Sequence, residues 1–265
     1  MKISVITVNY NNEYGLEKTI RSVIKQQYCD LEYIVIDGHS TDHSTDIIKK
    51  YAANLFYWIS EKDDGIYPAM NKAISVASGD YCLFLNSGDT FYDASVIENI
   101  QPFLTADFVC GNACLTYGES VSSSMWEAPM SVNKLYFIQR LSVCHQSLFI
   151  RTSILKNRGY DESLRIVADY EQIFFEILVN RRTYRKADIV VCNYGCDGIS
   201  SNHEKSDAEK RAVLEKFRLN SYIEPDALQE LINALKIGTR KYKLVLYLAK
   251  FIVNGSSIFQ KWIKK

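Results

Sequence analysis

Apolar and polar residues alternate in blocks over the first hundred residues of the chain. Three short apolar runs, ISVITV (3–8), YIVI (33–36) and YCLFL (81–85), each lead into polar residues. Near-continuous apolar runs of this length are typical of strands that are covered on both faces of a parallel sheet. We therefore expect three buried strands whose carboxyl ends are followed by polar loops.

Segments with helical periodicity separate these runs. Apolar residues recur at the spacing of one helix face over 16–24 and again over 47–51. Pro68 predicts the start of a third helix, because its missing N–H is tolerated there, and Gly79 predicts its end. Alternating strands and helices predict a doubly wound α/β sheet, in which ligands bind beyond the carboxyl ends of the strands.

The second half of the chain predicts a continued sheet followed by helices. Three further strands are predicted, at 108–115, 146–150 and 183–191. The segment 169–178 predicts an amphipathic helix, and the chain after it becomes helical to its end, with a break near Pro225. We therefore expect an α/β domain over 1–205 and a helical C-terminal extension over 206–265.

Charge is distributed unevenly, although the formal net charge is zero. The segment 231–265 has eight basic residues and no acid, which leaves 23 bases and 31 acids, a net charge of −8, on the other 230 residues. A basic tail on an acidic body suggests a membrane surface or another anionic partner. The tail is too often interrupted by charge to span a membrane, and it fits an interfacial helix. The alternative is a helix packed on the body or on a second subunit.

The cysteines and the amino terminus indicate an intracellular setting. The seven cysteines are odd in number and lack CxxC spacing, which is typical of reduced thiols. The first apolar run is too short for a signal peptide and lacks a cleavage site. We expect a cytoplasmic protein with no nucleic-acid partner.

Acidic residues follow two of the predicted strands, where chemistry is expected. Asp37 is either a turn residue or an acceptor for a base or ribose, and Asp89 is either part of a turn or a ligand of a divalent cation. The chain has no GxGxxG, GxxxxGK[ST] or GxSxG motif. Dehydrogenases, P-loop enzymes and α/β-hydrolases are therefore disfavoured.

Four motifs in order carry a resemblance to a known family. They are VITVNYNN, VIDGHSTDHST, SEKDDGIYPAMNKAI and GDYCLFLNSGD. Together they resemble the inverting family 2 glycosyltransferases, which have the GT-A fold, and in particular the bacterial enzymes that build surface polysaccharides such as O-antigen. The resemblance covers residues 1–100 and, more weakly, 140–205. It implies a mixed α/β sheet flanked by helices.

The resemblance implies roles for individual residues. Those expected to bind the nucleotide and the donor are Val8, Tyr10, Asp37, Asp63, Lys72, Ser87 and Gly88. Asp89 would ligate Mn²⁺ or Mg²⁺ on the donor diphosphate. Asn86 and Gly88 stand where many relatives carry acids, so the cation would depend on one protein carboxylate.

The resemblance also implies a catalytic base near the start of the 169–178 helix. Asp169 lies 80 residues after Asp89, and the helix dipole would favour its ionised form. The alternative is that Asp169 only caps the helix, and Glu171 is the second candidate for the base.

Two smaller motifs resemble other parts of the family's site. In CHQSLFIR, His145 and Gln146 are expected on the acceptor side, although a lone histidine is as often a structural residue. In GISSNHEK, Gly198 and His203 are expected in a loop that closes over the donor phosphates.

The function expected from these residues is transfer of a hexose or N-acetylhexosamine from a UDP-sugar, with inversion, to a lipid-diphosphate-linked saccharide. The enzyme would bind peripherally to the inner face of the cytoplasmic membrane, and it could form a homodimer. One alternative is a nucleotidyltransferase on a related fold, although NYNNEYG lacks the basic, Gly-rich loop expected of it. The other is a non-catalytic sugar-nucleotide-binding or scaffold protein.

Overall fold

A computed structural model of the protein describes residues 1–116, 123–139, 141–195 and 203–217. The chain divides into two compact units. One comprises residues 1–133 and 142–209 and contains the whole sheet, and the other comprises 134–141 and 210–265. No helix of the described residues is long and apolar enough to cross a membrane.

The described residues contain nine strands and eight α-helices. The strands are β1 (Ile3–Asn9), β2 (Leu31–Asp37), β3 (Tyr57–Ser60), β4 (Tyr81–Phe84), β5 (Thr90–Phe91), β6 (Phe108–Thr116), β7 (Ser123–Trp126), β8 (Leu148–Arg151) and β9 (Tyr184–Gly195). The helices are α1 (Glu13–Ile24), α2 (Ser44–Lys50), α3 (Ile66–Val76), α4 (Val96–Ile100), α5 (Lys134–Ile138), α6 (Thr152–Arg158), α7 (Ala168–Phe174) and α8 (His203–Lys216).

The nine strands form one mixed sheet in the order β3-β2-β1-β4-β8-β6-β9-β5, and β7 pairs with β6. The first four strands of this order are parallel to one another. Strand β8 runs antiparallel to both of its neighbours, β4 and β6. The fold is therefore the mixed α/β sheet with flanking helices that was expected, with the doubly wound part confined to β1–β4.

The core forms where the apolar runs of the sequence are. Strands β1, β2 and β4 are buried along nearly their whole length, and α1 buries Leu16, Ile20 and Val23 against the sheet. Burial on both strand faces explains why these segments read as continuous apolar runs. The three buried strands predicted from the sequence are confirmed.

Helix α3 begins and ends differently from the prediction. It begins two residues before Pro68, after Gly65 (φ 142°), and its C-cap is Ala77. Gly79 has another role, since a Cβ there would lie 2.7 Å from the backbone nitrogen of Ser4. Gly79 therefore allows the chain after α3 to pass close to the start of β1.

Glu32 links three elements at the amino-terminal edge of the sheet. Its buried carboxylate accepts hydrogen bonds from Ser4 Oγ on β1, from Ser78 N (2.5 Å) and Oγ (2.6 Å) after α3, and from Lys2 Nζ (2.6 Å). Burial alone would raise the pKa of Glu32, but the bonds from Lys2, Ser4 and Ser78 outweigh it and lower the pKa to about 2. Glu32 is therefore ionised in the folded protein and fastens β2 to its neighbours.

Two predicted elements of the second half change character. The strand expected over 146–150 begins at Leu148, because His145–Ser147 form a 3₁₀ turn. The helix expected over 169–178 is α-helical only to Phe174 and continues as a π-helix over Phe175–Val179. Of the expected C-terminal extension, only α8 and Phe217 belong to the described residues. The six cysteines of the described part of the chain are free thiols.

Candidate active site

Three of the predicted strand ends lie at one edge of the sheet. Asn9 at the end of β1 lies beside Asp37 at the end of β2, and β4 ends two residues before the turn Asn86–Asp89. Because β1, β2 and β4 are parallel, their carboxyl ends all open onto this edge.

Asp37 is fully buried and bonded on both carboxylate oxygens. Oδ1 accepts hydrogen bonds from Asn9 Nδ2 (2.8 Å) and Ser40 Oγ (2.5 Å), and Oδ2 accepts from Ser40 N (3.0 Å) and Ser60 Oγ (2.6 Å). These four donors hold the loop after β2 against β1 and β3. Asp37 thus anchors the loop, and its direct contact with a nucleotide base stays a prediction.

Tyr10 presents an aromatic face beside this anchor. Its side chain is 68% exposed, and a Cβ at Gly38 would lie 3.3 Å from Tyr10 Cδ2. The absence of a side chain at Gly38 therefore allows the Tyr10 ring to pack close to the loop after β2. An exposed ring with a polar edge is suited to stacking against a planar base.

The turn Asn86–Asp89 is held by α1. Thr19 Oγ1 accepts a hydrogen bond from Gly88 N (2.9 Å) and lies 2.7 Å from the carbonyl oxygen of Asp89. Asn12 Nδ2 donates to the carbonyl of Ser87 (3.1 Å), and Ser87 N donates to the carbonyl of Val8 (3.2 Å). The predicted residues Val8, Ser87 and Gly88 thus come together. Sequence reasoning missed Asn12 and Thr19, although Thr19 was visible as a polar residue within an apolar helix face.

The carboxylate of Asp89 is only slightly exposed, at 6%. Its Oδ1 accepts a hydrogen bond from Gly195 N (3.1 Å), and the nearby side chain of Gln146 also favours its ionised form. Burial outweighs these contacts and raises the pKa of Asp89 to about 7. Gln146 therefore lies near the predicted metal ligand, an arrangement not foreseen from the sequence, while its acceptor-side role stays a prediction.

The turn fits a hard divalent cation. Asn86 Oδ1 is buried without a hydrogen-bond partner, and it shares the turn with the desolvated carboxylate of Asp89. The described residues contain no group of three or more His, Cys, Asp or Glu that is placed to hold a metal ion. An ion here would therefore take two oxygens from the turn and the rest from phosphate and water, as Mg²⁺ and Mn²⁺ commonly do.

Asp63 and Lys72, both predicted near the donor, form an ion pair. Lys72 Nζ lies 2.6 Å from Asp63 Oδ1 and 2.5 Å from Glu61 Oε1. Asp63 is mostly buried, and its Oδ2 has no hydrogen-bond partner. A buried carboxylate oxygen without a donor is suited to accept a hydrogen bond from a ligand hydroxyl. Glu61 was not identified from the sequence.

Asp169 is half-buried at the second position of α7. Its Oδ1 accepts a hydrogen bond from the hydroxyl of Tyr67 (3.1 Å), which lies on α3. Burial and the negative charge of Asp169 raise the pKa of Tyr67 well above its ordinary value, so that the phenol stays protonated as a donor. The N-cap of α7 is Val167, so the alternative that Asp169 only caps this helix is not supported.

Glu171, the second candidate for the base, is excluded by its surroundings. It is fully buried, and its two oxygens lie 2.6 and 2.8 Å from Arg158 Nη2. Removing Arg158 from such a pair would leave a buried charge uncompensated. Glu171 therefore holds Arg158 and cannot receive a proton from an entering hydroxyl.

His145 is placed as a structural residue. Its ring stacks on Phe84 at a centroid distance of 4.9 Å, and Nε2 lies 2.8 Å from the hydroxyl of Tyr160. Burial lowers the pKa of His145, which favours the neutral ring. These contacts agree with the structural alternative rather than with direct contact to acceptor hydroxyls. Gly198 and the side chain of His203 lie outside the described residues.

Sequence comparison identifies relatives of this chain. Residues 4–156 match the model of glycosyl transferase family 2. An uncharacterized glycosyltransferase of Mycobacterium tuberculosis is 32% identical over 221 residues, which is 77% of this chain and 79% of that protein. A PGL/p-HBAD biosynthesis glycosyltransferase of Mycobacterium bovis is 29% identical over 175 residues, covering 63% of this chain and 66% of that protein.

Comparison of structures finds the same fold in distant proteins. The structure of Staphylococcus aureus TarS 1–349 with UDP-GlcNAc has a TM-score of 0.64 at 19% identity, covering 97% of this chain and 82% of that one. Glucosyl-3-phosphoglycerate synthase of Mycobacterium tuberculosis, with Mn²⁺, UDP and glucosyl-3-phosphoglycerate, has a TM-score of 0.55 at 18% identity, covering 80% and 78%. With its family model matched over more than half its length, this chain belongs to glycosyl transferase family 2 and is a glycosyltransferase with the GT-A fold.

Proposed function

We propose that this glycosyltransferase moves a hexose or N-acetylhexosamine from a UDP-sugar to a hydroxyl of a lipid-diphosphate-linked saccharide, with inversion, in the assembly of a bacterial surface polysaccharide such as O-antigen. The observation that carries the proposal is the hydrogen bond from Tyr67 to Asp169. It holds a half-buried carboxylate against α3, the helix that begins at Ile66, two residues after Asp64.

In this reaction Asp169 is the general base. The acceptor hydroxyl attacks the anomeric carbon, its proton passes to Asp169, and the bond from that carbon to the diphosphate oxygen breaks as UDP leaves. One displacement inverts the anomeric centre and converts an α-linked donor into a β-linked product. A positioned base of this kind contributes about 10²- to 10⁴-fold to the rate.

Residues of the sheet edge would bind the donor. Tyr10 offers its exposed ring to the uracil base, and the free Oδ2 of Asp63 offers an acceptor to a sugar hydroxyl. Asp89 and Asn86 would hold Mn²⁺ or Mg²⁺, which when bound neutralises charge on the departing diphosphate. The UDP-GlcNAc bound to TarS and the Mn²⁺ and UDP bound to glucosyl-3-phosphoglycerate synthase support a UDP-sugar and a divalent cation here.

The proposed acceptor and location are supported by the name of one relative and by the basic tail. The name of the Mycobacterium bovis relative refers to PGL/p-HBAD biosynthesis, which supports a role in assembling a glycoconjugate. The eight basic residues of 231–265 would hold the enzyme on the anionic inner face of the cytoplasmic membrane, where a lipid-diphosphate saccharide is presented. In this proposal residues 1–205 are the catalytic domain and 206–265 the membrane-associating extension.

A screen of UDP-sugars against a synthetic lipid-diphosphate saccharide tests the donor, the acceptor and the stereochemistry. We expect one UDP-hexose or UDP-N-acetylhexosamine to be used and the new linkage to be β by NMR. An α-linked product from an α-linked donor would contradict inversion. Equal transfer to the same saccharide without its lipid would contradict the lipid-linked acceptor.

Sedimentation with anionic vesicles tests the membrane proposal. The full chain should sediment with vesicles that contain anionic lipid, and the chain ending at residue 235 should stay in the supernatant. Continued sedimentation of the shortened chain would contradict the role given to the basic tail. The alternative is that the tail packs on a second subunit. In that case the full chain would have the mass of a dimer, and the shortened chain would have the mass of a monomer.

A further inference from the structure

The backbone that leads into α7 is held by a distant carboxylate. Glu209 Oε1 accepts a hydrogen bond from Arg165 N (3.1 Å), and Oε2 accepts from Ile166 N (2.9 Å) and Val167 N (3.2 Å). We call residues 165–167 the α7 strap. Three consecutive N–H groups thus converge on one side chain of α8, more than 40 residues later in the chain.

The α7 strap has no local means of fixing the helix start. Val167 is the N-cap residue, and it has no side-chain oxygen to receive the first N–H groups of the helix. Asp169 follows it by two residues. Any shift of the strap would therefore move the carboxylate of Asp169, and Glu209 supplies the contact that prevents it.

The opposite side of the α7 strap is tied to the donor side of the site. Arg165 Nη1 donates to the carbonyl of Asp64 (2.6 Å), which precedes the first residue of α3 by two positions. Tyr67, on the first turn of α3, donates to Asp169. The strap and the base are thus both bonded to the start of α3, and α8 holds the strap in that position through Glu209.

We propose that Glu209 is a positioning residue for the catalytic base, acting through the α7 strap without touching either substrate. The proposal rests on the role of Asp169 as base. Reacting groups must stay within a fraction of an ångström of their productive geometry, and a misplacement of 1 Å lowers rates by about 10²-fold. Loss of the Glu209 contacts should therefore lower the rate of transfer more than it lowers donor binding.

The Glu209→Gln variant tests this directly, because an amide replaces one of the two accepting oxygens with a donor that faces N–H groups. In the full chain we expect kcat for transfer to fall about 10- to 100-fold, with the KM for the UDP-sugar and the Kd for UDP unchanged within about twofold. Glu215→Gln is the matched control, an exposed glutamate on the same helix, and its kcat should equal that of the wild type.

The outcomes separate this inference from the proposed function. An unchanged kcat in Glu209→Gln, with transfer abolished in Asp169→Asn, overturns the role of Glu209 and leaves the base in place. A fall in kcat matched by an equal loss of UDP affinity also overturns it, because general disruption would do the same. Full transfer in Asp169→Asn contradicts the proposed function itself. If Glu209→Gln does not fold, Glu209→Asp should show a smaller fall in kcat with unchanged UDP affinity, and an unchanged kcat there rejects the proposal.

Discussion

The phenol of Tyr67 and the carboxylate of Asp169 form a pair that joins α3 to α7, 102 positions apart in the sequence. A carboxylate with one protonated donor keeps a fixed rotamer while its other oxygen stays available. Tyr67 remains protonated because burial and the Asp169 charge both raise its pKa. The pair would therefore fix the position of the carboxylate proposed as the general base.

Replacing Tyr67 with Phe should lower transfer by about tenfold, because Asp169 loses the donor that orients it. Loss of one hydrogen bond should also reduce the free energy of unfolding by about 1 kcal/mol. Steady-state kinetics and denaturant unfolding measure the two effects.

Tyr160→Phe is the matched control for Tyr67→Phe. Tyr160 is also buried, its ring centroid lies 5.6 Å from that of Tyr67, and its hydroxyl bonds to His145 instead of Asp169. We expect a similar loss of stability in Tyr160→Phe with transfer close to wild type. Equal losses of transfer in both variants would show that the tyrosine cluster, and not the bond to Asp169, carries the effect.

Single residues were predictable by chemical type and by position, but not by partner. The sequence places acids at 37, 89 and 169, and the structure has Asp37 at the end of β2, Asp89 in the turn after β4 and Asp169 near the start of α7. Their partners come from remote segments, such as Gly195 for Asp89 at a separation of 106 positions. Local patterns carry no information on such contacts, which is why Glu171 was a plausible base until Arg158 was found bonded to it.

At the scale of elements, α1 serves as the support for the proposed metal turn. Thr19 lies on its buried face, and its hydroxyl bonds to Gly88 N and to the carbonyl of Asp89. Gly88 itself has φ 106°, a backbone conformation that residues other than glycine rarely adopt. The turn is thus shaped by its own glycine and held by the helix packed beside it.

Thr19→Val should weaken the binding of UDP in the presence of Mn²⁺ by about five- to tenfold, because the isosteric side chain leaves Gly88 N and the turn carbonyls without their partner. Calorimetry with UDP and Mn²⁺ measures the change. Thr19→Ser keeps the hydroxyl and should bind UDP as tightly as the wild type does. Unchanged affinity for UDP in Thr19→Val would contradict the role of α1 in supporting the metal turn.

The Glu32 contacts predict how stability depends on pH. The pKa of Glu32 is about 2 in the folded protein and near 4.5 as an ordinary glutamate, so its contribution is complete above pH 4.5 and is lost as the pH falls from 4.5 towards 2. The contribution is on the order of 3 kcal/mol at neutral pH.

Denaturant unfolding of wild type and Glu32→Gln at several pH values checks this expectation. The difference in free energy of unfolding should be largest at neutral pH and should shrink below pH 4.5. Asp30→Asn, which changes an exposed carboxyl two residues away, should leave the wild-type pH dependence intact. A difference that is constant down to pH 3 would contradict the assignment.

The elements that the sequence predicted well have one clear hydrophobic pattern, either a continuous apolar run or a single apolar helix face. Strands β1, β2 and β4 are continuous apolar runs, and α1 has a single apolar face. The short strand β3 also lies in an apolar run, LFYWI (55–59), but it is only half-buried along its length and was not predicted. The π-helix after α7 and the 3₁₀ turn at His145–Ser147 break the helical and strand periods that the patterns assume.

At the scale of the sheet-bearing unit, the carboxyl edge of β1, β2 and β4 brings together residues from the whole catalytic segment. Tyr10 and Asp37 are the residues predicted to bind the nucleotide base, Asp89 is the predicted metal ligand, and Asp63 has an acceptor oxygen without a hydrogen-bond partner. The sheet order was not readable from local patterns, because β8, β6 and β9 join the parallel strands through pairings between distant segments. Family membership shows the transferase activity, and this edge is the site proposed for it.

The most direct test of the account is single-turnover transfer by Asp169→Asn with UDP binding measured in parallel. The amide keeps the size of the side chain and its bond to Tyr67 but cannot take a proton from the acceptor. We predict that transfer falls at least about 100-fold while the Kd for UDP with Mn²⁺ stays within about twofold of wild type. Transfer at the wild-type rate by this variant would contradict the claim that Asp169 receives the acceptor's proton.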